Sequence, residues 1–168
     1  MSYQIITDSC CDLTDAQMQQ LQVSCANLTV LYKGENHQNF SDPTAVKAFY
    51  NELREGVTAT TAAANPDDWA SLMLPALQEG RDVLAIAFSS GLSTTYQSAV
   101  IAAKDLQEEY PNRTICVVDS KCAALGQGLL VHHACRKRDE GMALPELVAW
   151  LEANKLNVCH WVTVDDLS

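Results

Sequence analysis

Small hydroxyl-bearing residues cluster near the centre of the chain, where they could hold a charged ligand. Val83–Phe88 is a short apolar run with polar neighbours, the pattern of a strand buried on both faces. It ends at Ser89-Ser90-Gly91, and from Tyr96 to Ala103 apolar side chains recur three and four positions apart, as in an amphipathic helix. A strand that turns into a helix presents backbone N–H groups and the positive end of the helix dipole. The stretch therefore predicts an anion-binding turn.

Ser93 and Thr94 lie in this turn, and one hydroxyl is enough to begin the helix. Ser is a preferred N-cap residue, but Thr94 with Gln97 has the spacing of a capping box. With Thr94 as the cap, the hydroxyl of Ser93 would be free to contact a ligand, and we interpret it in this way. Thr61 lies in a Thr- and Ala-rich stretch, and its neighbours alone indicate an ordinary loop position.

The sequence does not contain the motifs of the best-known catalytic and nucleotide-binding sites. Residues 89–93 do not match the G-x-S-x-G nucleophile elbow. The four histidines have no evident serine partner, although a triad is defined by geometry rather than by sequence. Neither a G-x-x-x-x-G-K-[ST] loop nor a G-x-G-x-x-G motif is present, and Gly126 and Gly128 indicate close helix packing instead. We predict no catalytic residue, and we favour a binding protein over an enzyme.

Composition argues against several classes of partner and compartment. The 168 residues carry a formal net charge of -10, whereas a nucleic-acid-binding surface is basic. No apolar run approaches the ~20 residues of a membrane span, and the N-terminus lacks a signal-peptide pattern, so we expect a cytoplasmic protein. The seven cysteines lack paired spacing, which predicts reduced thiols and no metal site. The basic run Arg136–Arg138 suits a helix end.

Strands and helices alternate along the chain, which predicts a single α/β domain with a mainly parallel sheet and helices on both faces. Three predicted strands are followed closely by carboxylate or hydroxyl residues. They are Tyr3–Ile6 before Asp8-Ser9, Val83–Phe88 before Ser89-Ser90, and Ile115–Val118 before Asp119-Ser120. Because the carboxyl ends of parallel strands share one edge of a sheet, we expect these residues to line one polar cleft.

The remaining elements are predicted from capping signals, apolar periodicity and turn residues. Further helices are expected at Thr14–Leu21, Asp42–Gly56, Asn65–Gly80, Thr94–Tyr110, Cys122–Glu140 and Leu144–Ala153. Val23–Tyr32 favours β structure, Lys33–Asn36 a turn, Val57–Ala64 a linker, and Asn157–Val164 a final strand.

Four stretches of the chain resemble the DegV family of bacterial fatty-acid-binding proteins. They are IITDS near the start, FSSGLSTTYQSA in the centre, VVDSKCAALGQGLLV later and VTVDDL at the end, and with their spacing they span nearly the whole chain. The resemblance implies the N-terminal α/β lobe of a two-lobed protein that holds an acyl chain between its lobes. It also implies a bound fatty acid such as palmitate, without a cofactor or metal. Some members are the lipid-carrying partner of a fatty acid kinase, which phosphorylates the bound carboxylate.

The resemblance also assigns the lipid-binding residues. The family's carboxylate contacts are a Thr in a T-S-x-P-type loop and a Ser in an S-x-L-S-G-T turn, which correspond to Thr61 and Ser93. We add Thr94 and Ser90 of the same turn to this set. Two positions depart from the family pattern. Ala62 replaces the Ser after the loop threonine, and Thr94 replaces the Gly after the turn serine and adds bulk beside the carboxylate.

The sequence stops about where the family enters its second lobe, so we interpret residues 1–168 as a single lobe without the C-terminal lobe. A lone lobe would cover only part of an acyl tail, which predicts weak or no fatty-acid binding, and its exposed face would favour self-association. Two alternative functions stay open. One is a phosphotransfer enzyme, because the lobe is similar to domains of dihydroxyacetone kinases, although no histidine is predicted at a strand end before a helix. The other is an interaction domain that does not bind lipid.

Overall fold

A computed structural model describes residues 3–38, 43–161 and 163. The strands in this part of the chain are β1 (Tyr3–Asp8), β2 (Val23–Ala26), β3 (Thr29–Tyr32), β4 (Glu35–Gln38), β5 (Ala59–Ala62), β6 (Asp82–Ala87) and β7 (Ile115–Asp119). The helices are α1 (Asp15–Leu21), α2 (Pro43–Arg54), α3 (Pro66–Gln78), α4 (Thr95–Glu109), α5 (Ala124–Asp139) and α6 (Leu144–Asn154). Short 3-10 turns lie at Ser9–Cys11 and Lys155–Asn157.

The larger sheet contains four parallel strands in the order β2-β1-β6-β7. In its centre, Ile5 of β1 pairs with Val23 on one side and with Leu84 on the other. Because parallel neighbours need a crossover, each connection passes through helices that cover the faces of the sheet. The predicted parallel sheet with helices on both faces is confirmed.

Alternate residues of the central strands pack into two separate apolar layers, since side chains in a strand point to opposite faces. Ile6 packs on one face with Trp69 of α3, and both are fully buried. Ile5 packs on the other face with Leu130 of α5 and Leu147 of α6. Full burial of such side chains stabilises a fold by roughly 1.5–3 kcal/mol each. The sheet edge between these layers is therefore a rigid support for the loops at the strand ends.

A second, antiparallel sheet in the order β4-β3-β5 was not predicted from the sequence. Val30 of β3 lies in register with His37 of β4 and with Thr61 of β5. The predicted β stretch Val23–Tyr32 is in fact two strands in different sheets, and the predicted linker Val57–Ala64 contains β5. β4 and β5 are mostly exposed and polar, so their sequences lack the apolar pattern of a buried strand.

The helix boundaries agree closely with the capping signals. Thr14 and Asn65 each form a complete capping box at the start of α1 and α3. Asp42, the predicted cap of α2, lies outside the described residues. In the last turn of α5, Arg138 donates to the Leu21 carbonyl at 2.8 Å and pairs with Asp139. The basic run therefore lies at a helix end, as predicted.

The chain after α6 differs from the prediction. Residues 158–161 and 163 do not form the expected final strand, while residues 162 and 164 lie outside the described part. Instead, His160 lies against α5, where its Nδ1 atom would be 2.8 Å from a Cβ atom added to Gly126. None of the described helices is long and apolar enough to cross a bilayer. All seven cysteines are free thiols.

Candidate functional site

The carboxyl ends of β1, β6 and β7 meet at one edge of the parallel sheet. Asp8, at the end of β1, accepts a hydrogen bond from the Phe88 N–H, with 2.7 Å between the nitrogen and Oδ2. Asp119, at the end of β7, accepts one from the Ser90 N–H at 3.1 Å. The two carboxyl groups thus hold the β6–α4 loop from both sides. The three strand ends meet at one edge as expected, but only Ser90 of the predicted residues lines the hydroxyl-rich cavity described below, so the expectation that all of them line one cleft is wrong.

Asp8 is fully buried and holds backbone rather than facing a cavity. Its Oδ1 atom accepts from the Cys10 N–H at 3.1 Å. Burial raises the pKa of Asp8 above its usual value, although hydrogen bonds from Phe88 and Cys10 act in the opposite direction. Gln127 of α5 also contacts Asp8, and its Nε2 atom donates to Thr7 Oγ1 at 3.0 Å. Sequence reasoning missed Gln127, although a lone amide within an apolar helical pattern is a signal of a buried polar contact.

The turn before α4 is organised differently from the prediction. Thr94 has helical backbone angles, φ -78° and ψ -1°, and makes no side-chain cap bond, so the Thr94–Gln97 capping box is wrong. An N-cap side chain needs an extended backbone at its own residue. Ser93 takes this role, because its Oγ atom accepts from the Thr95 N–H at 3.2 Å and lies 2.8 Å from Thr95 Oγ1. With Thr95 as the donor of that second contact, the Ser93 proton is free for a ligand.

Backbone N–H groups in this turn already have acceptors in the protein. Residues 91–93 donate to the side chain and carbonyl of Ser89, and the Ser90 N–H is bonded as described above. The predicted turn of free backbone donors is therefore wrong for residues 90–93. At residues 90–93, an anion would therefore meet side-chain hydroxyls rather than free backbone donors.

Thr61, Ser90, Ser93 and Thr94 line one cavity of about 730 Å³. Thr61 comes from β5 of the small sheet, whereas the other three come from the turn at the edge of the large sheet. The structure therefore brings together all four residues singled out from the sequence. The cavity is completed by Cys10, Leu28, Ala63, Phe88, Leu92 and Gln97. Burial raises the pKa of the Cys10 thiol to about 12, so this thiol stays protonated at neutral pH.

A second cavity of about 660 Å³ shares Thr61 with the first one. It lies between the small sheet, α1 and α2. Its apolar lining includes Met18, Val30, Val46, Phe49, Tyr50 and Leu53, and its polar lining includes Ser9, Asp12, Thr14, Asp15 and Asn27. The hydroxyl-rich cavity and a second cavity with an apolar wall are thus neighbours at a single residue.

Lys121 contacts the first cavity through Ser90, and sequence reasoning did not single it out. Its Nζ atom lies 2.8 Å from Ser90 Oγ and 2.7 Å from Asp119 Oδ2. Burial of Asp119 raises its pKa, but hydrogen bonds from Lys121 and Ser90 outweigh this effect and hold the pKa below its usual value. A basic residue two positions after a strand-end aspartate was the available signal.

The histidines do not contribute to the hydroxyl-rich cavity in the part of the chain that is described. His37 does lie next to the end of β4, before α2, so the expectation that no histidine occupies such a position is wrong. Its ring packs against Tyr32 with 5.7 Å between ring centroids, and its Nε2 atom is 3.9 Å from Glu35. No group of residues that could hold a metal ion occurs within the described ranges.

Known proteins are similar to this chain in both sequence and fold. A family model described as an uncharacterised protein of the DegV family matches residues 2–168. Among curated proteins, a DegV domain-containing protein of Clostridium perfringens is 38% identical over 164 residues. The matched region is 97% of this chain and 56% of that protein.

Two solved structures are similar over most of the chain. A DegV family protein from Thermus thermophilus, described by its fatty acid binding, has a TM-score of 0.80 and 34% identity, covering 93% of this chain and 54% of that one. A stearic acid-binding protein from Eubacterium ventriosum has a TM-score of 0.80 and 25% identity, covering 90% and 52%. The chain therefore spans little more than half the length of the proteins it matches.

Proposed function

We propose that this chain, which belongs to the DegV family, binds the carboxylate of a long-chain fatty acid such as palmitate in its hydroxyl-rich cavity. The observation that carries this proposal is the convergence of Thr61 with Ser90, Ser93 and Thr94 on one cavity. The family resemblance assigns Thr61 and Ser93 to the carboxylate, and Ser90 and Thr94 lie in the same turn as Ser93. Fatty-acid binding by the two solved relatives supports the same conclusion.

Hydroxyl groups suit a carboxylate because each can donate a charge-assisted hydrogen bond to it. Hydrogen bonds to charged groups typically contribute about 1.5–3 kcal/mol each. Three of the four hydroxyls lie on the turn fixed by Asp8 and Asp119, so little conformational entropy is lost when they bind. Thr61, on β5, supplies the fourth hydroxyl from the opposite wall.

The acyl tail has a place beyond Thr61. A tail that leaves the carboxylate past this residue would enter the 660 Å³ cavity and contact Val30, Val46 and Phe49. Each buried CH₂ contributes about 0.8 kcal/mol, so a long tail supplies most of the affinity. The apolar wall of the second cavity would then hold the tail.

The exposed lining of the hydroxyl-rich cavity is the basis for a proposed role in the cell. Thr61 and Thr94 are exposed, so a carboxylate held between them would stay accessible to another protein. We therefore propose a cytoplasmic lipid carrier that presents the bound carboxylate to a fatty acid kinase and performs no chemistry itself. Binding by hydroxyl donors requires neither a general base nor a metal.

The relatives that this chain matches contain further residues beyond the matched region. Because the matched relatives are nearly twice as long as the matched region, we propose that a polypeptide of these 168 residues binds fatty acid more weakly than a full-length relative. Its exposed apolar side chains, with Leu156 at 78% and Trp161 at 94% exposure, would also support self-association.

Native mass spectrometry of protein purified from a bacterial host, followed by lipid extraction, tests the site. We expect a co-purified or added long-chain fatty acid that binds in a 1:1 ratio and is lost in Ser93→Ala and Thr61→Ala variants. Ser98→Ala, on the first turns of α4 but outside the cavity lining, is the matched control and should retain the lipid. A folded wild type that takes up no fatty acid at any concentration, or equal retention by Ser93→Ala and Thr61→Ala, would contradict the proposal.

A further inference from the structure

Lys121 adopts a backbone conformation that lysine rarely occupies. Its φ angle is 55°, in the left-handed region, where side chains with a Cβ atom are disfavoured. This conformation turns the residue back towards the strand it follows. As a result, its N–H donates to Asp119 Oδ1 at 3.2 Å while its Nζ atom reaches Oδ2 of the same carboxylate. Strain of this kind is retained where a specific geometry is needed.

Asp119 places a negative charge directly behind the proposed carboxylate site. It is only 8% exposed, and it bonds to the backbone of Ser90, whose side chain lines the cavity. This carboxylate would repel an anionic headgroup bound beside Ser90, because nearby like charges disfavour each other. The ammonium group of Lys121, at 2.7 Å, neutralises that charge.

Lys121 also determines what the Ser90 hydroxyl can do. An ammonium group only donates hydrogen bonds, so the Ser90 oxygen is the acceptor in its 2.8 Å contact with Lys121. The Ser90 hydroxyl in turn donates to Asp119, and this bond lowers the pKa of that carboxyl group. The oxygens of Asp119 also accept from two backbone N–H groups and from Lys121. Lys121 and Ser90 therefore act together on the Asp119 carboxylate.

We propose that Lys121 is a positioning residue that makes the hydroxyl-rich cavity select an anionic headgroup, by neutralising the Asp119 carboxylate behind it. The inference rests on the proposed fatty-acid site. It assigns a role to a residue that does not line the cavity and that is half exposed on the surface. A purely structural role for the Asp119–Lys121 pair would instead affect all ligands alike.

Binding of decanoate and decanol, which share a tail length and differ in headgroup charge, separates these roles. We expect Lys121→Met to weaken decanoate binding about tenfold and to leave decanol binding unchanged. In the double variant Asp119→Asn/Lys121→Met, decanoate affinity should return to near the wild-type value, because the unpaired charge is gone. An asparagine Oδ1 can still accept both backbone N–H groups. Lys104→Met, on the groove between α4 and β7, is the matched charge-removal control and should change neither affinity.

Dissociation constants measured by chemical-shift titration at low ionic strength distinguish the role of Lys121 from the fatty-acid site itself. Equal weakening of both ligands by Lys121→Met, or no change for decanoate, overturns the role of Lys121 while the fatty-acid site stands. Failure of the double variant to recover decanoate binding also overturns it. If the wild type binds neither ligand, the proposed function fails and the inference fails with it. Thermal unfolding of each variant confirms that the fold is intact.

Discussion

Asp8 is a buried carboxyl group that joins the loop after β1 to the loop after β6. It holds Phe88 and Cys10 through their backbone N–H groups, and both residues line the hydroxyl-rich cavity. Because water is excluded around it, the neutral form of the carboxyl is favoured in the folded protein, and its pKa is raised. The shape of the turn after β6 is thus linked to the protonation of a buried carboxyl group.

This link predicts a pH dependence of stability that Asp8→Asn removes. In the unfolded chain the pKa lies near 3.8, and in the folded protein it is higher. The stabilisation is therefore fully present below pH 3.8 and is lost as the pH rises from that value through the folded-state pKa. Each unit between the two pKa values corresponds to about 1.4 kcal/mol. Urea unfolding of both proteins across this range should show the wild type losing its stability advantage as the pH rises.

A constant difference between wild type and Asp8→Asn at all pH values would contradict this account. It would mean that the carboxyl has the same proton affinity in the folded and unfolded states. The asparagine of the variant does not titrate, so the pH dependence that remains in its stability comes from the other titrating groups.

Residue chemistry in the binding turn was only partly predictable from the sequence. The hydroxyl cluster was recognised, but the assignment of the cap to Thr94 was wrong and Ser93 forms that bond instead. Both residues are compatible with capping by type and spacing, and only the backbone angles at Thr94 distinguish them. Gln127 was missed because its partner Thr7 is distant in sequence. The contact of Lys121 with Ser90 is likewise long-range, although its partner Asp119 is only two positions away.

At the scale of elements, the helix α5 fixes the turn that follows β1. Gly128 lies so close to that turn that an added Cβ atom would be 2.5 Å from the Cys11 carbonyl oxygen and 3.2 Å from Leu13. No Cβ atom fits at the first distance without a shift of the backbone. The neighbouring Cys10 lines the hydroxyl-rich cavity, so this close packing also positions one wall of the site. The expectation of close packing at this glycine is confirmed.

Gly128→Ala should destabilise the protein by about 1–3 kcal/mol, because overpacking against backbone exceeds the gain in helix propensity. Gly126→Ala is the matched control. Its new methyl group would meet only the side chain of His160, which is exposed and can move. This control should be neutral or up to ~1 kcal/mol more stable. Chemical denaturation measures both, and equal effects of the two substitutions would contradict the packing argument.

The elements that the sequence predicted well are those with strong local signals. The buried parallel strands are continuous apolar runs, and α1 and α3 begin with complete capping boxes. The strands β4 and β5 were missed because they are short, polar and exposed. They form through pairing with β3, which depends on the tertiary fold rather than on local preference.

At the scale of the whole molecule, the proposed site lies between two sheets that the chain builds separately. Thr61 belongs to the antiparallel sheet and Ser93 to the loop at the end of a parallel strand. No spacing rule connects positions in different sheets, so residue patterns alone left Thr61 as a loop residue. The family resemblance supplied that link, and the structure places both residues on one cavity.

Exposed apolar side chains around the start of α5 predict self-association at high concentration. Leu125 is 62% exposed and Leu156 is 78% exposed, and the carbonyl of the neighbouring Lys155 is 3.9 Å from Cys122 Sγ, just before α5. We expect sedimentation velocity to show a reversible dimer that Leu125→Glu weakens, since a charge opposes burial of this face. The exposed Val100 on α4, changed to Glu, is the control for added charge elsewhere. A clean monomer at every concentration would rule out this interface.

The central claim is that a fatty-acid carboxylate binds among Thr61, Ser90, Ser93 and Thr94. Amide chemical-shift mapping of the ¹⁵N-labelled chain during titration with decanoate tests it most directly. The account predicts saturable shifts concentrated at residues 60–63 and 89–95, with a second set at 46–53 of α2 where the tail would lie. Shifts confined to the groove between α4 and β7, lined by Tyr96, Val100 and Ile115, would contradict the claim, as would a spectrum that does not change.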